Sequence, residues 1–280
     1  MNTYATSSVS SPFFSDINHE SCGWTNDIDF GSIVGGRPAI IEDHPWICSL
    51  QDAIQNHFCG ANIITDRWLV TAAHCVHSSK NLNVNQLFVL CGRTEQVVSS
   101  DPNQGQIIGV QKIVIHELNE EKSDVYDIAL IQLTSRVLFQ PIPRRVHPVP
   151  APICLPPPNT EFYGIARVAG WGSIKAEPAQ LSNSLQEMDL QIRNQDVCTR
   201  IDPTFEPDSM ICASSAGTGL DLAPGESGSA LVIQTDNRHT LIGISSYNYR
   251  RHGEEPGTYP IVFTKTSFYV EWIQKTIQSD

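Results

Sequence analysis

Short apolar runs separated by turn residues fill the chain from residue 46 onward. The runs are rich in β-branched and aromatic residues, which is typical of β-strands. In the first half they predict six strands: Trp46–Leu50, His57–Thr65, Trp68–Thr71, Gln86–Cys91, Gln106–His116 and Asp127–Leu133. In the second half they predict six more: Ala166–Trp171, Leu185–Ile192, Met210–Ala213, Ala230–Gln234, Thr240–Ser246 and Ile261–Thr266.

Three other segments frame these strands. A proline-rich stretch over residues 141–158 cannot lie inside a sheet, so it is expected to link the two sets. Val270, Ile273 and Ile277 follow Ser267 at helical spacing, and Ser267 is a suitable N-cap, which predicts a helix over residues 267–277. Residues 1–21 are rich in Ser and Asn and are expected to form a disordered lead-in.

The pattern therefore predicts an all-β fold of two six-stranded antiparallel β-barrels followed by a C-terminal helix. The first barrel is expected at about residues 33–140 and the second at about residues 159–266. The chain has 280 residues, 40% of them hydrophobic, which is enough to bury a core of this size.

The charge and the apolar content restrict the partners of the chain. The formal net charge is −12, whereas nucleic acid and anionic membranes require a basic face, so we expect neither as the main partner. No run approaches eighteen apolar residues, and the sequence therefore predicts no membrane span. An acidic surface keeps a protein soluble, and it also suits a cationic substrate.

Eight cysteines form an even set without a C-x-x-C pair, which favours disulfides over zinc or redox motifs. Disulfides require an oxidising compartment, and the chain is therefore expected to be secreted. Its first twenty residues contain no apolar run as long as the core of a signal peptide. A signal would then lie upstream of the given sequence, or the chain is an unusual isoform.

Three segments contain the residue types of a hydrolytic site. They are Trp68-Leu-Val-Thr-Ala-Ala-His74-Cys75, Asp127-Ile-Ala-Leu130 and Gly225-Glu-Ser227-Gly-Ser229. A serine becomes a strong nucleophile when an imidazole takes its proton and a buried carboxylate orients that imidazole. A glycine before the serine allows a tight turn whose N–H groups face the developing oxyanion.

Each segment has an alternative interpretation. A single buried His is often structural, Asp124 competes with Asp127 for the same role, and a Gly-Glu-Ser-Gly segment can be an ordinary turn. The order His, Asp, Ser and the Ser at position 229 exclude the nucleophile elbow of α/β-hydrolases, which reads Gly-x-Ser-x-Gly with the His after the Ser.

In all, the sequence resembles the trypsin-like serine protease family from residue 22 to about residue 276. The motifs that match are Ile33-Val-Gly-Gly36, Val70-Thr-Ala-Ala-His74-Cys75, Asp127-Ile-Ala-Leu130, Pro152-Ile-Cys-Leu-Pro156, Ala169-Gly-Trp-Gly172, Gly225-Glu-Ser-Gly228, Val262-Phe-Thr-Lys265 and Tyr269-Val-Glu-Trp-Ile273. The resemblance implies a serine endopeptidase made as a zymogen, with its active site between two barrels. No metal and no cofactor are expected.

The resemblance also assigns a role to individual residues. His74, Asp127 and Ser227 would be catalytic, and the N–H groups of Gly225 and Ser227 would form the oxyanion hole. Residues 22–32 would be an activation peptide that is cleaved between Ser32 and Ile33, and the new amine of Ile33 would pair with Glu226. The residues expected to contact substrate are Asp221, Ser246, Tyr247, Asn248 and Ile261.

The cysteines are paired partly by this resemblance. It implies bridges between Cys59 and Cys75, between Cys198 and Cys212, and between Cys22 and Cys154, the last of which would tether the activation peptide. Cys48 and Cys91 remain, on the first and fourth predicted strands, which would be antiparallel neighbours in this architecture. We therefore predict a fourth bridge between them; the alternative is two buried thiols.

Several positions depart from the family pattern. Glu226 stands where an Asp is usual, Ala223 replaces a cysteine beside the specificity pocket, and Ser32 is not a basic residue. Ile261 stands where a glycine usually leaves room for the substrate, while Asp221 has the spacing from Ser227 that selects Arg or Lys.

Two hypotheses about function follow from these motifs and departures. The first is an active endopeptidase with a weak preference for Arg or Lys. The second is a catalytically silent homologue that acts as a protein-binding module. A metal site at His74, Cys59 and Cys75 is a distant third. The expected partners are a protein or peptide substrate, an activating protease and a protein protease inhibitor.

Overall fold

The computed structural model describes residues 17–25, 36–77, 83–96, 105–121, 123–139, 149–172, 182–215, 226–248 and 259–279. In this part of the chain strands predominate over helices. The strands are β1 (Arg37–Pro38), β2 (Ile47–Gln51), β3 (His57–Ile63), β4 (Trp68–Thr71), β5 (Phe88–Cys91), β6 (Gln106–Ile115), β7 (Ala129–Leu133), β8 (Ile165–Gly170), β9 (Gln186–Ile192), β10 (Met210–Ser215), β11 (Ala230–Thr235), β12 (Arg238–Asn248) and β13 (Ile261–Lys265). The helices are α1 (Ala73–Val76), α2 (Gln195–Ile201) and α3 (Thr266–Gln278).

The first barrel closes in the strand order β2-β3-β4-β7-β6-β5, with antiparallel pairing throughout. Its strands bury almost every residue where they face one another: Leu50, Leu69, Val70 and Leu130 are all inaccessible to solvent. This continuous burial explains why the apolar runs of the first half predict strands so well.

The second barrel is formed by β8, β9, β10, β13, β12 and β11, and it closes because β8 pairs with both β9 and β11. The short strand β1 adds to the outer edge of β9. The prediction of two six-stranded antiparallel barrels with a C-terminal helix is therefore confirmed. The twelve predicted strands correspond to β2–β13, with shifts at their ends.

The largest of these shifts have local causes. The strand predicted from Gln86 begins at Phe88, because Val84–Gln86 forms a 3-10 turn capped by the side chain of Asn83. The strand predicted from Asp127 begins at Ala129, because the backbone turns just before it: the N–H of Ile128 bonds to the carbonyl of Tyr126, which has a φ of 55°. The short elements β1, α1 and α2 have no periodic apolar pattern and were not predicted.

The predicted N-cap of the C-terminal helix is wrong. Helix α3 begins at Thr266 with Lys265 at the N-cap position, so Ser267 lies in the first turn. The hydroxyl of Ser267 instead donates a hydrogen bond to the carbonyl of Thr160. A tertiary contact has displaced the local capping preference.

Four disulfides join the cysteines as Cys22–Cys154, Cys48–Cys91, Cys59–Cys75 and Cys198–Cys212. Cys48 and Cys91 are register partners on the neighbouring strands β2 and β5 of the first barrel. This neighbour relation was the basis on which their pairing was predicted.

Residues 17–25 lie against the second barrel and are fixed by more than their disulfide. The side chain of Asn18 makes two hydrogen bonds with the backbone of Leu155. The backbone of Gly23 bonds to Pro152 and to His239. Packed structure thus begins before Cys22, within the segment predicted to be a disordered lead-in.

Candidate active site

The three candidate catalytic residues lie on separate elements. His74 lies in the single turn of α1, directly after β4, and Asp127 lies in the segment that leads into β7. β4 and β7 are paired neighbours, with Thr71 opposite Ala129, so the first barrel brings His74 and Asp127 together. Ser227 lies in the turn before β11 of the second barrel.

Asp127 holds His74 at two points. One carboxylate oxygen accepts the backbone N–H of His74 at 2.8 Å, and the other lies 2.7 Å from Nδ1 of the imidazole. The hydroxyl of Ser246 donates to this second oxygen at 2.6 Å. The carboxylate is 1% exposed, whereas the side chain of His74 is 36% exposed. The Nδ1 edge of the imidazole is therefore fixed by Asp127, while the rest of the ring remains accessible.

Burial by itself raises the pKa of Asp127, but its hydrogen bonds and charge interaction reverse that effect. His74 contributes the hydrogen bond and the charge, and the hydroxyl of Ser246 adds a further bond. The net result is a pKa below the usual value for an aspartate. Asp127 is thus an ionised carboxylate that orients the imidazole.

Asp124, the rival for this role, is exposed. Partial desolvation and the nearby charge of Asp127 raise its pKa, and Asp202 acts in the same direction. Asp127, rather than Asp124, accepts hydrogen bonds from the backbone N–H and the imidazole of His74, which favours Asp127 for this role.

Ser227 is the second residue of a tight turn that is pressed against the first barrel. The N–H of Ser229 bonds to the carbonyl of Glu226, and Gly228 has a φ of +79°. A Cβ at Gly228 would lie 2.3 Å from the carbonyl oxygen of Gly60 and 2.4 Å from the hydroxyl of Thr71. Only glycine fits there, for the backbone angle as well as for the space.

This packing brings the serine turn to β3, the neighbour of the strand β4 that precedes His74. The carbonyl of Ser227 accepts the N–H of Gly60, and the side chain of Asn62 donates to the carbonyl of Gly228. Within the described part of the chain no hydrogen bond joins the Ser227 hydroxyl to His74; in unliganded enzymes this bond is often long until substrate binds. Gly225, the other candidate for the oxyanion hole, lies outside the described residues.

Glu226 is buried beside two glycines of the second barrel. A Cβ at Gly172 would lie 2.2 Å from Cγ and 2.5 Å from Cδ of Glu226, and a Cβ at Gly170 would lie 3.1 Å from Cγ. The two glycines thus leave the space that the longer side chain of Glu226 fills. Its expected partner Ile33 and the cleavage-site residue Ser32 lie outside the described residues.

Four of the residues expected to contact substrate lie at the end of β12 and the start of β13. The hydroxyl of Ser246 also supports Asp127, a role that the sequence did not indicate because the two residues are 119 positions apart. The hydroxyl of Tyr247 donates to Asp202 at 2.5 Å, and this bond together with burial raises its pKa. Ile261 pairs with Asn248 and is 1% exposed, in contact with the core of the second barrel. Asp221 lies outside the described residues.

Among the described residues, the one group of side chains close enough to share a metal ion is Cys59, His74 and Cys75. Both sulfur atoms belong to one disulfide, so neither offers a thiolate. The group does not support a metal centre.

Comparisons with known proteins cover most of this chain. The family model "Trypsin" matches residues 33–273. Trypsin-1 of Astacus astacus is 32% identical over 248 residues, which cover 86% of this chain and 98% of that protein. Transmembrane protease serine 11G of Mus musculus is 35% identical over 249 residues, covering 86% of this chain and 54% of the relative.

Ovochymase-2 of Mus musculus is 30% identical over 266 residues, covering 89% of this chain and 41% of the relative. The chain thus spans about half the length of this protein and of the transmembrane protease. Within the described residues, no helix of the chain has the length and apolar character needed to cross a bilayer.

Proposed function

Because the chain belongs to the trypsin family of serine proteases, we propose that it is a serine endopeptidase acting through His74, Asp127 and Ser227. The observation that carries the proposal is the two-point contact of Asp127 with the backbone and the imidazole of His74. Such a contact fixes the tautomer in which Nδ1 carries the proton, which leaves Nε2 to act as a base.

The reaction follows from these roles. Nε2 of His74 takes the proton of the Ser227 hydroxyl while the serine oxygen attacks the peptide carbonyl and forms a tetrahedral intermediate. The N–H groups of Gly225 and Ser227 stabilise its oxyanion. The imidazolium then protonates the leaving amine, and an acyl-enzyme remains on Ser227. Water, deprotonated by His74, attacks this ester and releases the acid.

The protein is made as a zymogen that requires cleavage between Ser32 and Ile33. The new ammonium of Ile33 then pairs with the carboxylate of Glu226, because a buried carboxylate needs a positive partner. Ser32 is small and uncharged, so the activating protease resembles elastase in its preference. Cys22–Cys154 and the contacts of Asn18 keep the cleaved peptide attached.

The expected specificity is a weak preference for Arg or Lys before the cleaved bond, with low turnover on small peptides. Asp221 supplies the preference through a charge-assisted hydrogen bond. The burial of Ile261 in the core of the second barrel supports a narrow pocket. Profiling with a peptide library tests this: a sharp preference for an apolar residue rules out the role of Asp221.

A silent protein-binding homologue is the second candidate, and the buried, branched side chain of Ile261 favours it because such a side chain would narrow a pocket for Arg or Lys. One substitution distinguishes the two candidate functions. If no peptide is cleaved by the mature chain but Ile261→Gly creates cleavage after Arg, the native pocket is blocked and the second candidate holds.

The decisive experiment exposes the Ile33 amine through an engineered cleavage site and adds a serine-reactive fluorophosphonate. The active endopeptidase is labelled on Ser227, and the uncleaved chain and Ser227→Ala are not. Absence of label on the cleaved wild type would contradict the proposed enzymatic activity.

Secretion is also proposed, since four disulfides suit an oxidising compartment. A protein protease inhibitor is a further expected partner.

A further inference from the structure

The main chain at Asp127 forms a tight turn just before β7. The N–H of Ile128 bonds to the carbonyl of Tyr126 at 2.8 Å, so Asp127 is the central residue of a γ-turn. Tyr126 has a φ of 55°, which is an uncommon backbone conformation for a bulky side chain. The residue that is proposed to orient the imidazole therefore lies in a strained turn.

The first barrel holds both neighbours of Asp127 but not its carbonyl. The N–H of His116 bonds to the carbonyl of Ile128 at 3.1 Å. The ring of His116 stacks on that of Tyr126, with their centroids 5.0 Å apart. Among the described residues no backbone N–H bonds to the carbonyl of Asp127, although this residue is only 1% exposed. A buried carbonyl needs a donor from another part of the structure.

Strand β13 of the second barrel supplies this donor. The hydroxyl of Thr264 donates a hydrogen bond to the carbonyl of Asp127 at 2.7 Å. Thr264 is 2% exposed, and its backbone is paired on both sides, with Met210 of β10 and with Ile244 of β12. A β-branched side chain also has few χ1 rotamers. The donor is therefore held rigidly by the second barrel.

A second hydroxyl of the same barrel reaches the other end of Asp127. Ser246 donates to the carboxylate, and it lies where the register of β12 shifts between Ser245 and Tyr247. Such irregularities redirect a side chain. The second barrel thus contacts Asp127 at its carboxylate and at its main chain. Because one methylene group joins these two parts of an aspartate, a rotation of the main chain also turns the carboxylate.

We propose that Thr264 is a positioning residue: its hydroxyl fixes the main chain of Asp127 so that the carboxylate stays aligned with Nδ1 of His74. The inference rests on the proposed function and adds a residue that acts through Asp127 rather than on the substrate. Without this hydroxyl the buried carbonyl of Asp127 loses its donor, which costs free energy. A strained turn persists only where its surroundings impose it. The turn then relaxes, and the carboxylate loses its alignment with the imidazole.

Three substitutions test this role. Thr264→Val removes the hydroxyl and keeps the β-branched shape, whereas Thr264→Ser keeps the hydroxyl and tests rescue. Thr266→Val is the matched control. Thr266 is inaccessible to solvent, and its hydroxyl has no hydrogen-bond partner within the described part of the chain. The control therefore removes a buried threonine hydroxyl two residues away without breaking a contact to Asp127.

The first measurement is the downfield proton NMR signal of the His74 Nδ1–H in the uncleaved full-length protein. This signal reports the hydrogen bond between His74 and Asp127, which is present in the folded chain. We expect the signal to move upfield and to broaden in Thr264→Val. It should stay at its wild-type position in Thr264→Ser and in Thr266→Val.

The second measurement is steady-state kinetics of the cleaved protein. In Thr264→Val, kcat should fall by about ten- to a hundredfold, the scale expected for a small misplacement of a catalytic group. KM should change less than about twofold, because Asp127 acts on the imidazole and not on the bound substrate. Thr264→Ser should recover most of the wild-type kcat, and Thr266→Val should retain all of it.

A purely structural role of Thr264 would lower stability but leave the NMR signal and kcat unchanged. That result in Thr264→Val would overturn the inference and leave the proposed function intact. Equal changes in Thr266→Val would also overturn it. If the cleaved wild type shows no turnover, the proposed function fails, yet the NMR signal still decides the inference because it does not depend on turnover.

Thr264→Ala replaces Thr264→Val if the valine variant does not fold. Its smaller side chain leaves room for a water molecule at the carbonyl of Asp127, which reduces the cost of the unpaired group. A water molecule is held less rigidly than a threonine hydroxyl, so the same changes are expected to a smaller extent. A wild-type NMR signal and kcat in Thr264→Ala would overturn the inference.

Discussion

Asp127 of the first barrel accepts three hydrogen bonds at its carboxylate, two from His74 of the same barrel and one from Ser246 on β12 of the second barrel. In the second barrel, by contrast, the turn of Ser227 depends on Glu226, whose proposed partner exists only after cleavage. The contacts of the proposed base are thus present in the folded chain, whereas the proposed pairing of Glu226 would form only after cleavage. Under the proposed function, one chain would hold an oriented base before it is activated.

The largest expected effect tests the contact between Asp127 and His74. Asp127→Asn in the cleaved protein should lower kcat by about 10⁴-fold, because the amide favours the wrong imidazole tautomer, as in the Ser-His-Asp template. Asp124→Asn is the control and should change kcat only a few-fold, since Asp124 makes no hydrogen bond to His74 among the described residues. Comparable losses in the two variants would show that the site is misassigned.

The next prediction tests the proposed pairing of Glu226 beside Ser227. Glu226→Gln should lower kcat/KM of the cleaved protein by about 10³-fold, equivalent to roughly 4 kcal/mol, because removing one partner leaves a buried charge unpaired. Glu206→Gln, at an exposed position, should have no effect. In Glu226→Gln the downfield proton NMR signal of the His74 Nδ1–H should persist, since the base side does not depend on Glu226. Near-wild-type turnover would contradict the pairing.

A third prediction concerns the pH dependence of stability in the second barrel. Burial alone would raise the pKa of Glu187, but its contacts with His44 and Arg37 help to lower that pKa to about 2, below its usual value of 4.5. Its contribution to stability is therefore present above about pH 4.5 and is lost as the pH falls towards 2. The free-energy advantage of wild type over Glu187→Gln should shrink by up to about 3 kcal/mol over this interval. Urea unfolding at several pH values measures it, and an advantage that stays constant with pH would exclude the contribution.

The smallest effect compares two buried serines, one in each barrel. The hydroxyl of Ser49 in the first barrel bonds to His57 and to Gln51, whereas the hydroxyl of Ser229 in the second is buried without a hydrogen-bond partner. Ser229→Ala should raise the free energy of unfolding by about 1 kcal/mol, and Ser49→Ala should lower it by a similar amount. Chemical denaturation measures both, and the same sign in the two variants would refute the comparison.

The strands could be predicted from the sequence because burial in a closed barrel requires apolar residues along each strand. β4 and β7 are mostly apolar, so a short apolar run bounded by turn residues locates them. The candidate triad was found for a related reason: its chemistry needs fixed residue types, and each lies in a short motif that can be read locally. The bridge Cys48–Cys91 needed only the strand order of the barrel.

Contacts between distant segments could not be predicted, because no local pattern encodes which side chains will share a space. Ser246 looked like a residue of the substrate rim, and only the fold places its hydroxyl on Asp127. Ser267 has the chemistry of an N-cap, yet the carbonyl of Thr160 lies within its reach and α3 begins one residue earlier. Glu187, Arg37 and His44 belong to no motif, and only the pairing of β1 with β9 brings them together. Periodicity and motif chemistry thus determined the strands and indicated the candidate catalytic residues, and the three-dimensional packing alone decided which residues support them.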